Sequence, residues 1–200
     1  MSLDVDSLDK SQVRLVEDWH QVDEMRTNGD DVLTLATRLH HRNFELWHEE
    51  DRARDPHAAD SVIADVKRRI DRLNQQRHEH IERFDEALLE HLSTAGVGPA
   101  EQACLCSETP GSIVDRLSIN ALKIFHMREE IGRAHAPADH DERCAARVAL
   151  LQEQRTDLVG CLDRLWHEVL RGKRYFKVYR QMKMYNDALL NPVLYAKKSP

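Results

Sequence analysis

The sequence predicts an all-α protein: an up-and-down bundle of about five helices with a partly extended, basic C-terminal tail. Three observations carry this. The 200 residues include only seven Gly and six Pro, with 32% charged and 6% aromatic residues, a profile that favours long helices over sheets. Apolar residues recur at spacings of three and four over long stretches. Only one long segment, residues 93–111, holds both glycine and proline breakers.

The elements follow in order. A first helix is expected from about Leu8 to Met25, with Leu8, Leu15, Trp19 and Val22 on one face, and "TNGDD" (27–31) turns the chain and supplies an N-cap. A second runs from Val32 to about Arg54, where Pro56 ends it. The third has the clearest seam, Ile63, Val66, Ile70, Leu73, Arg77, Ile81, Phe84 and Leu88, alternating by three and four. The fourth, about 112–134, is apolar on most sides, which marks a central helix. The fifth repeats the seam with Val148, Leu151, Arg155, Leu158, Leu162, Leu165 and Val169. Gly172 then ends or bends it, and "LNPVLY" reads as extended. The organisation expected is a bundle domain over 1–172 and a Tyr-rich basic tail over 173–200, packed on the bundle or on a second subunit.

Composition narrows the function classes. No run approaches the roughly 20 apolar residues that span a bilayer, and "MSLDVDSLDK" lacks the regions of a signal peptide, so a cytoplasmic protein without a membrane partner is expected. Cys104, Cys106, Cys144 and Cys161 then read as thiols. The motifs G-x-S-x-G, G-x-G-x-x-G and the Walker loop are absent, which argues against the commonest hydrolase, dinucleotide and phosphate-loop architectures. Residues 171–200 hold eight Lys or Arg and one acid, leaving 21 bases against 34 acids in the rest. Tyrosines interleaved with bases in that tail can bind nucleic acid, but an acidic body is a poor platform for it. Packing on the bundle or on a twin chain in a homodimer is the preferred reading.

Polar residues where the seams demand apolar ones mark the candidate site. Arg77 and Arg155 each need a carboxylate or an anionic ligand, because an unpaired buried guanidinium costs several kcal/mol. Asp115 and His126 share one face of the central helix, and Asp115 also lies where it can serve the helix N-terminus. In "LWHEEDRARDP" (46–56), His48, Asp51 and Asp55 follow one helical face and Trp47, Glu50 and Arg54 the next. Asp71, Asn74 and His78 flank the Arg77 seam on the following helix. Two metal readings arise. Glu17-x-x-His20 and Glu45-x-x-His48 resemble half of a di-iron bundle site, and Glu50, Asp51 and Asp71 could hold magnesium through oxygen ligands.

Four ordered motifs, "LWHEEDRARDP", "KRRIDRLNQQRHEHIERFD", "SETPGSIVDRLSINALKIFHM" and "GKRYFKVYRQMKMYNDALLNPVLY", resemble the bacterial domain-of-unknown-function family 4254 over residues 43–195. The resemblance implies an all-helical protein of this length, with no activity attached. It covers Trp47, His48, Glu50, Asp51, Arg54, Asp55 and Pro56; Asp71, Asn74, Gln75 and Arg77; Ser107, Glu108, Thr109, Pro110, Asp115, Arg116 and Ser118; Lys123, His126 and Met127; and Lys177, Lys183, Tyr185, Asn186 and Asp187. Cys106 stands where the family commonly has Asn, which weakens a C-x-C metal site. Glu45 and the Glu17-x-x-His20 segment lie outside the motifs, which weakens the di-iron reading.

The expectation is therefore a polar pocket between helices two, three and four. His48, Glu50, Asp51 and His126 act there as acid or base, and His48, Asp51 and Asp71 as ligands of a divalent metal, Mg or Fe. Arg54, Asn74, Arg77, Asp115, Arg116 and Lys123 hold an anionic small molecule, a phosphorylated or nucleotide-linked metabolite. The rival reading is a non-enzymatic interaction module whose buried charges are structural ion pairs.

Overall fold

A computed structural model of the chain describes residues 3–22, 27, 29–184 and 187–196. Five long helices form the bundle: α1 (Val5–Gln21), α2 (Val32–Arg52), α3 (Asp60–Thr94), α4 (Pro110–Glu129) and α5 (His140–Leu170). Two three-residue strands, β1 (Cys104–Cys106) and β2 (Arg174–Phe176), and a single helical turn, α6 (Pro192–Tyr195), complete it. No described helix is long and apolar enough to cross a membrane.

Local chemistry sets the helix ends. Asp4 accepts from the Ser7 amide at the start of α1, and Asp31 accepts from the Leu33 and Thr34 amides at the start of α2. Thr109 caps α4 by accepting from Ser112, with Pro110 in the first turn where its missing N–H costs nothing. α1 ends at Gln21; the expected extension to Met25 lies outside the described residues. α4 stops at Glu129 rather than near Ala134, because Gly132 adopts a left-handed φ of 80° and turns the chain toward α5. "LNPVLY" is not extended: Asn191 accepts from the Val193 amide and Pro192 opens the turn of α6.

α2 to α5 alternate in direction, but α1 runs the same way as α2. Gln12 meets His40, and further along both helices His20 meets His48. The ten residues between the helices can reach about 33 Å when extended, more than the roughly 25 Å length of a 17-residue helix, so a parallel start is sterically open. α4 touches each of the other four long helices, as its all-round apolar pattern predicts. Val114, Leu117 and Leu122 are buried there, against Leu8, Leu39, Phe84 and Leu162 in the main core and against Val16, Trp19 and Phe44 in a second one. In the α3 seam Val66, Ile70, Leu73, Phe84 and Leu88 are buried and Arg77 is half-buried.

The loop expected to be irregular over 93–111 contains β1, which pairs in parallel with β2, Cys104 opposite Arg174 and Cys106 opposite Phe176. Gly172 makes the return possible. Its φ is 67° and an added Cβ would lie 2.9 Å from the Gly98 carbonyl oxygen. Phe176 is buried in the main core, so the first residues of the tail are part of the body. Further along, Arg180 pairs with Glu82 and Glu86 of α3.

Where α3 meets the start of α4, Asp85 is buried and accepts from the Gly111 amide at 2.7 Å. A side chain at Gly111 would sit 2.8 Å from the Ile81 carbonyl oxygen, so only glycine permits this approach. Burial pushes the Asp85 carboxyl up to about 6, against the lowering effect of Thr109 and Gly111. A folded-state value above the unfolded one gives stability that is present below pH 4 and lost as pH rises through 6. Asp85→Asn removes this titration. The stability of the variant relative to wild type should rise by on the order of 2 kcal/mol between pH 4 and pH 7, measured by urea denaturation at both pH values.

Candidate functional site

A continuous polar chain crosses the interior. His40 is fully buried and burial depresses its pKa to about 3, so the ring is neutral. Its Nε2 then donates to the Gln12 carbonyl at 2.9 Å, and its Nδ1 accepts from the Ser118 hydroxyl at 2.7 Å. Asn43 donates to both Ser118 and Asp115, each at 2.9 Å. Asp115 takes the Arg77 guanidinium in a two-pronged pair, with Nε at 2.7 Å from Oδ1 and Nη2 on Oδ2. At the other end the Gln12 side chain donates to the Val114 carbonyl, and Arg155 donates to the Leu117 and Asp9 carbonyls and pairs with the Asp9 carboxylate at 2.8 Å. Both seam arginines are thus met by carboxylates of the chain itself.

Eight residues beyond Gln12, His40 and Ser118 stand His20, His48 and His126. The same three helices bring them together where they end, and one ring nitrogen of each lies within 4.8 Å of the other two. His20 and His48 rings are 5.1 Å apart between centroids, His20 and His126 5.0 Å, and His48 and His126 5.7 Å. Aromatic side chains hold the rings: Trp47 lies parallel to His126 at 4.8 Å, Phe125 stacks on His20 at 4.2 Å, and Phe44 meets His48 edge-on at 4.6 Å.

Hydrogen bonds select the tautomers. His20 Nδ1 lies 2.6 Å from the Val16 carbonyl oxygen, a contact that requires the proton on Nδ1 and leaves Nε2 as the lone-pair nitrogen. His126 Nδ1 likewise faces the Glu129 carboxylate at 2.8 Å, and its Nε2 is buried without a hydrogen-bond partner. An imidazole with one nitrogen hydrogen-bonded to a carboxylate or carbonyl and the other exposed as a donor atom is the arrangement of a metal ligand. Burial lowers the His126 pKa, against the raising effect of Glu129, which keeps the coordinating neutral form.

Two hollows lie near this cluster, and Trp47 and Asp51 line both. One, of about 580 Å³, lies between α2, α4 and α5 and is lined in part by Trp47, Asp51, Lys123, His126, Met127 and Arg147. The other, of about 300 Å³, is bordered by Asn43, Trp47, Glu50, Asp51, Arg54 and Arg77. Of the residues expected at the site, His48 and His126 meet directly, and Glu50, Asp51, Arg54 and Arg77 gather round the smaller hollow. Arg54 is paired with Glu50 there. Asp115 is buried and committed to Arg77 and Asn43.

The remaining expectations are not brought together. Asp71 is exposed and paired with Lys67 on its own helix, and it borders neither hollow. Asn74 serves through its carbonyl, which accepts from His78. Arg116 is exposed, paired with Glu108, and shares with Lys123 a different hollow against α5. Glu17 is exposed, and Glu45 pairs with Arg42, His41 and Arg69, so neither carboxylate of the di-iron reading joins its histidine. Among the described residues the histidine trio is the one group of three or more ligating side chains close enough to share an ion. The cysteines are free thiols and none belongs to it. His20 had been noted only for the di-iron spacing; Phe125, Glu129 and Arg147 carry no local signal and are found through the fold.

The fold and site define a helical bundle with a three-histidine cluster at the shared end of α1, α2 and α4. Residues 33–178 match the family model described as "Protein of unknown function (DUF4254)", and the chain belongs to that family. His48 and His126 fall inside the matched stretch; His20 precedes it, and Tyr185 and Asn186 of the sequence motif lie outside the described residues. No curated protein and no solved structure matches the chain.

Asp115 anchors the interior chain. Asp115→Ala leaves Arg77 uncompensated and takes an acceptor from Asn43, and a loss of about 3–5 kcal/mol is expected in urea denaturation. Pairing Asp115→Leu with Arg77→Met should recover a large part of that loss, because the stranded charge is gone.

Proposed function

We propose that the protein is a metal-dependent enzyme whose centre is His20, His48 and His126, acting on an anionic metabolite of the phosphorylated or nucleotide-linked kind. The convergence of three imidazoles within 4.8 Å, from three different helices, carries the reading. Imidazole donors suit zinc, iron and their first-row neighbours and do not suit magnesium, whose oxygen ligands are dispersed here. A three-histidine set leaves coordination positions for water or substrate, as catalytic zinc sites do. When bound, such an ion supplies Lewis acidity and brings the pKa of a coordinated water toward neutrality.

The chain's own groups do the rest. Glu129 and the Val16 carbonyl orient the His126 and His20 rings, and Phe44, Trp47 and Phe125 exclude water from their flanks. Asp51 has no ion-pair partner among the described residues and lines the same hollow as His126, so it is the carboxylate that would take a proton beside the centre.

One equivalent of zinc should bind the metal-stripped protein in calorimetry. His20→Ala, His48→Ala and His126→Ala should each weaken it by about 100-fold or more, and Glu129→Gln by about 10–100-fold. Affinity should fall as pH is lowered, because protons compete with the ion for the same imidazole nitrogens. Unchanged zinc affinity in all three alanine variants would remove the reading.

One observation favours a second, compatible role as an interaction module. Among the described residues from Tyr179 to Tyr195 eight large apolar side chains are exposed, Met182 at 85% and Leu189 at 84%. The segment is basic and the remainder of the chain acidic, so its partner is best read as a second copy of this chain. Deleting residues 179–200 should convert a dimer to a monomer in sedimentation analysis. A full-length chain that is already monomeric at 100 times the working concentration would exclude this role.

A further inference from the structure

We infer that the 580 Å³ hollow between α2, α4 and α5 is a binding site for a phosphomonoester carrying a planar apolar group, an aryl ring or a nucleobase. Its volume is that of a site for a small organic ligand. Trp47, Met127, Leu150 and Leu151 form apolar walls, and Leu150 is 54% exposed with nothing covering it.

The charges decide the ligand class. Most ionic groups at or near the site are already engaged: Arg54 by Glu50, Arg77 by Asp115, Glu130 by Arg133, and Glu129 by the Nδ1–H of the neutral His126. Lys123 and Arg147 line this hollow from α4 and α5, and neither has an ion-pair partner among the described residues. Two cations lining one hollow match the double charge of a phosphomonoester, and a guanidinium fork and an ammonium both suit phosphate oxygens. Asp51, without an ion pair among the described residues, also lines the hollow and is an acceptor for an amino or hydroxyl group on the ligand. One face of Trp47 is covered by His126, and the indole also lines the hollow, where it can meet a planar ring. As a substrate site the hollow rests on the metal-centre reading, since His126 belongs to both. As a binding site it stands on its own residues.

The test uses full-length, metal-stripped protein titrated with phenyl phosphate, adenosine monophosphate and inorganic phosphate in calorimetry. One of the two organic phosphates should bind at least about 10-fold more tightly than inorganic phosphate. Lys123→Met with Arg147→Met should weaken that binding by about 100-fold, while zinc affinity and melting temperature stay at wild-type values. Trp47→Leu should bring the organic ligand down to the affinity of inorganic phosphate. Equal affinities for all three phosphates, or binding indifferent to the double substitution, would overturn the inference. Failure of zinc to bind with phosphate-ester binding intact would strike only the metal-centre reading.

Discussion

The buried hydrogen-bond chain from Arg77 through Asp115, Asn43, Ser118 and His40 to Gln12, and on through the Gln12 side chain to Arg155, fixes how the helices sit against one another. It takes members from all five long helices, and each of its links is a hydrogen bond. The neutrality of His40 gives the chain a direction: amide protons of Asn43 go to Asp115 and Ser118, the Ser118 proton to His40, and the His40 proton to the Gln12 carbonyl. Sliding α1, α2 or α4 by one turn would strand several of these groups without water, at a cost of about 1–3 kcal/mol for each. Apolar side chains tolerate such slips far better, so the polar members specify register while the leucines supply most of the driving force.

That register reappears at the histidines. Gln12, His40 and Ser118 meet in the interior, and the residues eight further along each helix meet again near the helix ends, about 12 Å away. Three helices running the same way at fixed offsets act as a ruler. The cluster inherits its placement from the core rather than from a loop, and such sites are held more rigidly than loop sites.

Much of this was legible in the sequence, and the reasons for the gaps are specific. Seam spacing gave the helices, and the two arginines in the seams called for a carboxylate or an anionic ligand each, without telling which; Asp115 and Asp9 are the carboxylates they meet. His48 and His126 were marked by helical face. The third member of the cluster depended on the direction of α1, which periodicity does not encode: an antiparallel α1 would carry His20 to the opposite end of the bundle. The anion set was over-read for a similar reason. A base in a sequence does not reveal which acid it will meet, and Arg54, Arg77 and Arg116 each found one, the last reaching Glu108 across the cap of α4. The short strands were hidden because three residues are too few to show alternation.

The parallel pairing of β1 with β2 ties residue 104 to residue 174, and Phe176 plugs the main core just behind it. During synthesis α1 to α4 are made before this plug exists. The helices can therefore collapse first and lock only once β2 pairs with β1 and Phe176 enters the core, which makes β2 a latch on the helices made before it.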